Sequence, residues 1–412
     1  MKNNAKIYNE IQSCRLCFSS KIHDVLDLGF QPPANSLRAE LKISIPTAPL
    51  KLMYCDDCSS VQLSATVDPN YLFNQYVWVT GTSSTARKYS EFFCSEVLNR
   101  ASTKSPFVVE IASNDGTFLK VFKENNCNVL GVDPAKNIAN EAIKSGIPTI
   151  PDFFNIDIAK KILKTQGKAD IILARNVIPH VKDIHSILEG FSELVNDGGI
   201  VVIEFHYSKI IADELHYDSI YHEHLFYFSL LSLIKLFNKH NLYAFDVFSS
   251  PISGGSLVLF FKSKQAPLSK ELTAFIDVES LSKLNNLLTW QDFGARSKKH
   301  ALNLKSTVDF YLTKGPLIGY GASARSSTIL NYLNLSAKEI EFIIDCNPLK
   351  QNLFTPGTDI PIVSYDKGLK KLKDKNILLL AWNFEEEIVS DLRKSGFTGD
   401  IIVPLPNKIH IR

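Results

Sequence analysis

Nowhere in its 412 residues does this chain reach the roughly 18 consecutive apolar positions that a membrane-spanning helix requires. Its opening, MKNNAKIYNEIQSC, also lacks the apolar centre of a secretion signal, so a soluble, cytoplasmic protein is expected. One-sided charge is missing too. The 45 basic and 43 acidic side chains leave a formal net charge of +2, without the basic footprint of a nucleic-acid binder. Neither a membrane nor a nucleic acid is therefore expected as a partner. Cysteine is sparse, and its odd total of seven fits poorly with a disulfide framework. Glycine is scarce where a dinucleotide would need it: the loop at 110–116, EIASNDG, has one glycine where the pyrophosphate fingerprint needs three.

The chain does hold enough apolar material for a sizeable core, 45% of its residues, and its length points to about two to four domains. Around residues 107–134 an apolar strand, a polar loop, an amphipathic helix and a second strand ending in Asp133 form a βαβ unit, which leaves a ligand crevice at the strands' carboxyl ends. Asp133 follows Gly116 by seventeen residues, near the offset at which an acid meets a ribose in this topology. A nucleoside without a phosphate fits such a loop, and S-adenosylmethionine is one. The competing reading is a purely structural unit with an incidental acid. The alternation continues with strands at 147–149, 169–173 and 199–205, helices between them, and a closing hairpin of strands at 242–248 and 256–262. Residues 268–313 read as a polar helical bridge. A second βαβ pattern begins at 316, with a turn at 319–322 that could present backbone N–H groups and Arg325 to a phosphate, or serve as a plain glycine turn.

Cys14 and Cys17, with Cys55 and Cys58, form two CxxC knuckles separated by 37 residues. In a reducing compartment this pattern reads as a closed four-thiolate zinc site with a structural role, against the alternative of unrelated thiols. Asn176 and His180 follow the strand at 169–173 and overhang the crevice. The stretch at 206–228, rich in histidine, tyrosine and acids, has no helical or strand period, and loops at this end of such sheets carry function. Within it Tyr221, His222, Glu223 and His224 stand in consecutive positions, so two or three of the four are expected to reach one site. Their i, i+2 histidine spacing lacks the geometry of a helical zinc site.

These motifs together resemble the sugar C-methyltransferases, which use S-adenosylmethionine to methylate a ring carbon of nucleotide-linked deoxysugars. The resemblance rests on the paired knuckles, EIxSNDG at 110–116, GVDP at 131–134, IYHEH at 220–224, GYGA at 319–322 and PGTxIP at 356–361. It implies a class I methyltransferase doubly wound α/β sheet (residues 69–264), flanked by a zinc domain (1–68) and by a bridge and Rossmann-like substrate-binding domain (265–412). It implies His224 as base, Glu223 orienting it, and Tyr221, Tyr76 and His180 donating toward an enolate. Cofactor contacts are expected from Glu110, Ala112, Asn114, Gly116, Asp133, Pro134, Asp152, Phe153 and Asn176. Substrate contacts are expected from Tyr76, Asn176, His180, Tyr221, His222, Ser323 and Arg325. The partner it implies is a nucleoside-diphosphate-linked sugar, bound by a monomer or weak dimer. Three departures stand out: Ala112 where the family has Gly, expected to be compatible with the turn, and Ser253 and Val258 where it has His and Arg, expected to bear on the substrate. Other readings are an O- or N-methyltransferase on the same fold, or a non-catalytic nucleotide-sugar scaffold.

Overall fold

In the computed structural model, which describes residues 6–73, 79–82, 84–251 and 254–412, the strand signals become four sheets among the described residues. The N-terminal strands are β1 (Tyr8–Glu10), β2 (Ile22–Gln31), β3 (Ala48–Cys55), β4 (Val61–Leu63) and β5 (Ala65–Val67). Along β3 buried and half-buried positions alternate, as in antiparallel strands with one wetter face. The central strands are β6 (Phe107–Ile111), β7 (Asn128–Val132), β8 (Thr149–Ile150), β9 (Ala169–Arg175), β10 (Val195–His206), β11 (Phe226–Tyr227), β12 (Tyr243–Ser250) and β13 (Ser256–Lys262). All but β11 build a seven-stranded sheet in the order β12-β13-β10-β9-β6-β7-β8. From β8 to β10 the pairing is parallel, with the β12–β13 hairpin closing one edge antiparallel.

The chain runs outward from β6 through β7 to β8, then returns to lay β9 and β10 on the other side of β6. That reversal opens a crevice over the carboxyl ends of β6 and β9, where ligands bind in this architecture. Local chemistry punctuates the crossovers. The Asn155 side chain caps the helix Ile156–Gln166 by accepting from the Asp157 and Ile158 amides, and Gly167 ends it at a positive φ. Ser229 and Ser232 form a reciprocal capping box on the helix Leu230–Asn238. The expected strand at 199–205 starts earlier, at Val195, through a register shift before Ile200.

A second doubly wound sheet follows. Its strands β14 (Leu317–Tyr320), β15 (Ile340–Ile344), β16 (Ile362–Val363), β17 (Ile377–Leu379), β18 (Ile401–Val403) and β19 (His410–Ile411) lie in the order β16-β15-β14-β17-β18-β19. All pairs are parallel except β18–β19. Residue parity divides the core. One apolar cluster takes Val109, Ile111 and Ile172 of the central sheet and continues without a break to Leu26 and Leu52 at the N-terminus and Ile343 and Leu378 at the C-terminus. The other face takes Val108, Leu173 and Val202 against Phe93, Phe118 and Phe122.

Two segments differ from their sequence reading. The aperiodic stretch 206–228 contains the helix Ser208–Asp213, a single 3₁₀ turn Tyr217–Ser219, and β11, which pairs with β4 and completes the N-terminal four-stranded sheet. The bridge is not simply polar: the helix Leu287–Leu312 buries Trp290, Phe293, His300, Leu304 and Val308. It lies so close to β2 that a β-carbon on Gly294 would stand 2.2 Å from the Val25 carbonyl oxygen. Gly294→Ala should therefore lower stability by about 1–3 kcal/mol through overpacking, although alanine is the better helix former by about 1 kcal/mol. Urea unfolding measures it; a midpoint equal to or above that of the parent would mean that the helix can move off the sheet.

Candidate active site

The crevice begins at the end of β6, where Glu110 is the last residue but one. The loop after it holds Ala112, Asn114 and Gly116 at φ 50, 52 and 77. Glycine is free in that region and asparagine tolerates it, but for alanine the cost is of order 1 kcal/mol. Ala112 is therefore a strained substitute rather than a neutral one. Asp133, buried at the end of β7, holds the loop in this form by accepting from the Asn114 and Ala135 amides, each at 2.8 Å. The Thr80 and Gly81 amides close over it from the other side, donating to Asn114 Oδ1 and Asp115 Oδ2 at 2.9 Å. Gly116 is needed here for a second reason, since a β-carbon would meet Ile147 at 2.9 Å. Half-buried Pro134 follows Asp133. Beyond β8 the rim continues with exposed Asp152, which accepts from the Phe153 amide, and with half-buried Phe153.

This loop is anionic. Burial pushes the Glu110 carboxyl up to about 8; Arg175 pulls the other way, while Asp115 and Asp133 add to the rise. Glu110 Oε2 and Ser113 Oγ are buried without a hydrogen-bond partner. Such a site repels phosphate and suits a cation, and S-adenosylmethionine carries both a sulfonium and an ammonium group. The donor set therefore fits that cofactor.

Past the carboxyl end of β9, the turn carrying His180 and the segment 221–224 bring proton-handling side chains together. Tyr221 Oη and His224 Nε2 are 2.8 Å apart, and the His180 ring meets His224 edge-on at 4.6 Å between centroids. The Leu225 amide donates to the Pro179 carbonyl at 2.7 Å, which ties the turn carrying His180 to the segment carrying His224. Asn176, the first residue past β9, adopts φ 53 and donates its amide to the Glu204 carbonyl at 2.7 Å. Burial holds the His224 imidazole well below its ordinary value, and the nearby His180 and Arg325 push it further down while the Ser219 carbonyl opposes them. Burial likewise brings His180 down to about 4, against the Glu223 and Asn176 carbonyls. Both rings are neutral at pH 7. A neutral imidazole next to a phenol can accept a proton and deliver a hydrogen bond.

Of the four consecutive residues, Tyr221 and His224 are hydrogen-bonded to each other, and the other two also make contacts with the N-terminal part of the chain. His222 is buried with Nε2 3.1 Å from the Ala48 carbonyl of β3. The Glu223 carboxylate accepts from Asn35 at 2.6 Å. Both contacts fasten the loop to the N-terminal part of the chain, and Tyr221 is a side chain hydrogen-bonded to His224. Tyr76 and Ser253 lie outside the described residues. Val258 is fully buried beside Glu204 in the apolar cluster on the Phe93 and Phe118 face.

The C-terminal sheet supplies the far wall. Arg325 stacks over Trp382 at 5.3 Å and faces Gly254, whose β-carbon would approach Nη1 to 3.6 Å. Its positive charge helps depress His206, His216 and His224. Ser323 caps the helix Ala324–Tyr332. The Ala322 amide donates to Asp345 at 2.8 Å, so that part of the turn is already occupied and does not offer its N–H to a phosphate. Sequence reasoning missed Trp382, which donates to Asp218 Oδ2 at 2.7 Å, and Thr328, which donates to the Ile220 carbonyl at 2.8 Å. No local pattern marks either one. Asp218 and His216 could have been found, since they lie in the same aperiodic stretch.

The four knuckle cysteines converge as their spacing predicts. Their sulfurs lie within 4.8 Å of one another, with the Cys14–Cys58 and Cys17–Cys55 pairs at 3.5 Å. Tetrahedral thiolates around zinc stand about 3.8 Å apart, so the set fits the ion. Both knuckles end in the same turn: Phe18 and Ser59 adopt left-handed backbones and donate their amides to the Cys14 and Cys55 carbonyls. Hydrogen bonds from Cys58, Ser60, Gln62 and the Leu16 amide hold the Cys14 thiol far below its usual value, against burial. Freshly purified, reduced protein should carry about one zinc per chain by metal analysis, and Cys14→Ser should lower both zinc content and the thermal midpoint. Zinc-free wild-type protein of full stability would refute this site.

Three family models match the chain in order: a zinc binding domain at residues 14–73, a methyltransferase domain at 86–246 and a C-methyltransferase C-terminal domain at 251–406. The C-methyltransferase NovU of Streptomyces niveus is 30% identical over 407 residues, 97% of each chain. Among solved structures, the PH0226 protein of Pyrococcus horikoshii aligns at a TM-score of 0.37 and 13% identity over 47% of this chain and 98% of its own. The 1,6-didemethyltoxoflavin-N1-methyltransferase of Burkholderia thailandensis, solved with S-adenosylhomocysteine, aligns at 0.35 and 14% over 45% and 81%. End-to-end identity to NovU, and family models that follow the order of the N-terminal, central and C-terminal sheets, establish that the chain belongs to the S-adenosylmethionine-dependent C-methyltransferases with an N-terminal zinc-binding domain.

Proposed function

We propose that this C-methyltransferase acts on a nucleoside-diphosphate-linked 4-keto deoxysugar, at the carbon beside the ketone, C-3, after His224 has removed its proton. The observation that carries this reading is the Tyr221–His224 hydrogen bond with His180 edge-on, facing the crevice of the methyltransferase sheet. A carbon next to a carbonyl becomes nucleophilic only as an enolate, so its methylation needs a base and donors for the developing oxyanion. His224 Nε2 supplies the lone pair and holds the Tyr221 O–H until it takes the ring proton; the hydroxyl then accepts from Nε2–H and is free to donate to the enolate oxygen. His180 is a second neutral donor. When bound, S-adenosylmethionine supplies the electrophilic methyl group. His206 Nε2, His216 Nδ1 and Asp218 Oδ1, buried without hydrogen-bond partners beside Arg325 and Trp382, favour a polar ligand such as a nucleotide-sugar on the C-terminal side. The same reading assigns cofactor binding to 69–264, substrate binding chiefly to 265–412, and structural support to 1–68.

Exchange of the ring proton into deuterated water, followed apart from methyl transfer, tests the base. His224→Asn should lose exchange by about 10²-fold or more, the range of general-base catalysis, while still binding cofactor and substrate. Tyr221→Phe should keep measurable exchange at a reduced rate, because His180 still faces the enolate. Exchange at the wild-type rate in His224→Asn would move the base elsewhere, with His180 next in line.

The neutral state of His224 has its own signature. A base whose pKa lies well below 6.5 is still unprotonated as the pH falls through 6.5, so the acid limb of kcat/KM should fall below that value. A limb centred at 6.5 or higher would mean that the base is a solvated histidine or another group.

A further inference from the structure

At the carboxyl ends of three adjacent strands, β6, β9 and β10, stand Glu110, Arg175 and Glu204. Parity puts them all on one face, since Val108, Leu173 and Val202, two residues earlier on each strand, belong to the same apolar cluster. Arg175 Nε donates to Glu204 Oε2 at 2.9 Å, and Arg175 Nη1 lies 3.7 Å from Glu110 Oε1. Glu204 is otherwise satisfied, its Oε1 accepting from Tyr89 at 3.0 Å and from Ser250 at 2.5 Å. Glu110 is not, for its Oε2 is buried and unpartnered. The guanidinium lies flat on Phe118, 3.1 Å from the ring centroid, and Phe118 stands in the first turn of the helix that leaves the cofactor loop.

One buried cation therefore serves two buried carboxylates, and the better placed of the two takes most of it. We infer that Arg175 is a positioning residue for the cofactor: it fixes Glu110 so that the free carboxylate oxygen receives the cationic portion of S-adenosylmethionine, and it thereby couples cofactor binding to release of the Glu110 proton. The groups acting on Glu110 are Arg175 from β9, Asp115 of the loop and Asp133 from β7; behind Arg175 stand Glu204 of β10 and Tyr89 of the helix Ser84–Leu98. Among these Arg175 is the only cation. Before binding, burial keeps Glu110 protonated at neutral pH. A bound cation favours the carboxylate, so the acid O–H bond breaks and one proton leaves to solvent for each cofactor taken up. The inference rests on the placement of the cofactor beside Glu110 adopted above.

The test is calorimetric affinity for S-adenosylmethionine from pH 6 to 8.5 on the intact protein, in buffers of different ionisation enthalpy that count protons released. Wild type should bind more tightly as pH rises, approaching tenfold per pH unit and flattening near pH 8. Glu110→Gln should bind with little pH dependence and release no proton. Arg175→Met should bind at least tenfold more weakly at pH 7 and move the bend to higher pH, because Glu110 loses its only favourable charge. Arg175→Lys, which keeps the charge and has the better prospect of folding, should return the bend toward that of wild type. A bend unmoved in Arg175→Met of native circular dichroism would overturn the positioning role. If Arg175→Met does not fold, a wild-type affinity and bend in folded Arg175→Gln, which also removes the charge, overturns it equally. If Glu110→Gln alone matches wild type in affinity and slope, the cofactor does not lie against Glu110, and it is the placement that fails.

Discussion

Everything at the reaction centre depends on how the backbone of residues 216–228 is tied down from three sides. β11 is a strand of the N-terminal sheet, the Thr328 hydroxyl holds the Ile220 carbonyl from the C-terminal domain, and Tyr217 meets His300 of the long helix at 3.1 Å. Consecutive side chains of an extended or turning segment point in different directions, so four neighbours cannot serve one site. Here His222 and Glu223 make contacts with Ala48 and Asn35, and Tyr221 and His224 are hydrogen-bonded to each other. The zinc-binding domain thus helps to hold this segment in place. Because its apolar side chains continue into the main core, the zinc cluster stabilises more than its own knuckles.

The same loop device occurs twice. Asp133 accepts the amides of Asn114 and Ala135, and Asp345, in the matching position after β15, accepts those of Ala322 and Asn347. In each case an acid at the end of the second strand replaces, for the loop after the first, the anion that a helix N-terminus would otherwise attract. The two loops differ in what surrounds that acid. Around Asp133 stand two further acids, Asp115 and Glu110; near Asp345 stands Lys350, whose Nζ donates to the Ala322 carbonyl at 2.8 Å and lies 4.0 Å from the acid. The first loop keeps a net preference for a cation, and the second is internally neutralised.

Burial sets the chemistry as much as contact does. Imidazoles at 180, 206, 216 and 224 are all pushed below their solvated values chiefly by desolvation, and the nearby guanidinium of Arg325 adds to this for 206, 216 and 224. Neutral rings offer hydrogen bonds rather than charge, and Arg325 is a cation beside three of them.

The sequence by itself determined what depends on local periodicity and spacing. The βαβ alternation placed β6, β7 and β9 within two residues of their ends, the closing hairpin was visible, and two CxxC knuckles sufficed to define four metal ligands, because strand period, turn residues and knuckle geometry are properties of short segments. The membership of 180, 221 and 224 in one cluster followed from a resemblance, not from spacing. Only the tertiary structure decided which members of the Tyr221–His224 run face inward, that β11 joins a sheet more than 160 residues earlier in the chain, that Trp382 braces Asp218, and that Arg175 serves two carboxylates. These are choices of partner across long stretches of chain, fixed by packing and by the need of each buried polar group for a counterpart, and no periodicity in the sequence encodes them.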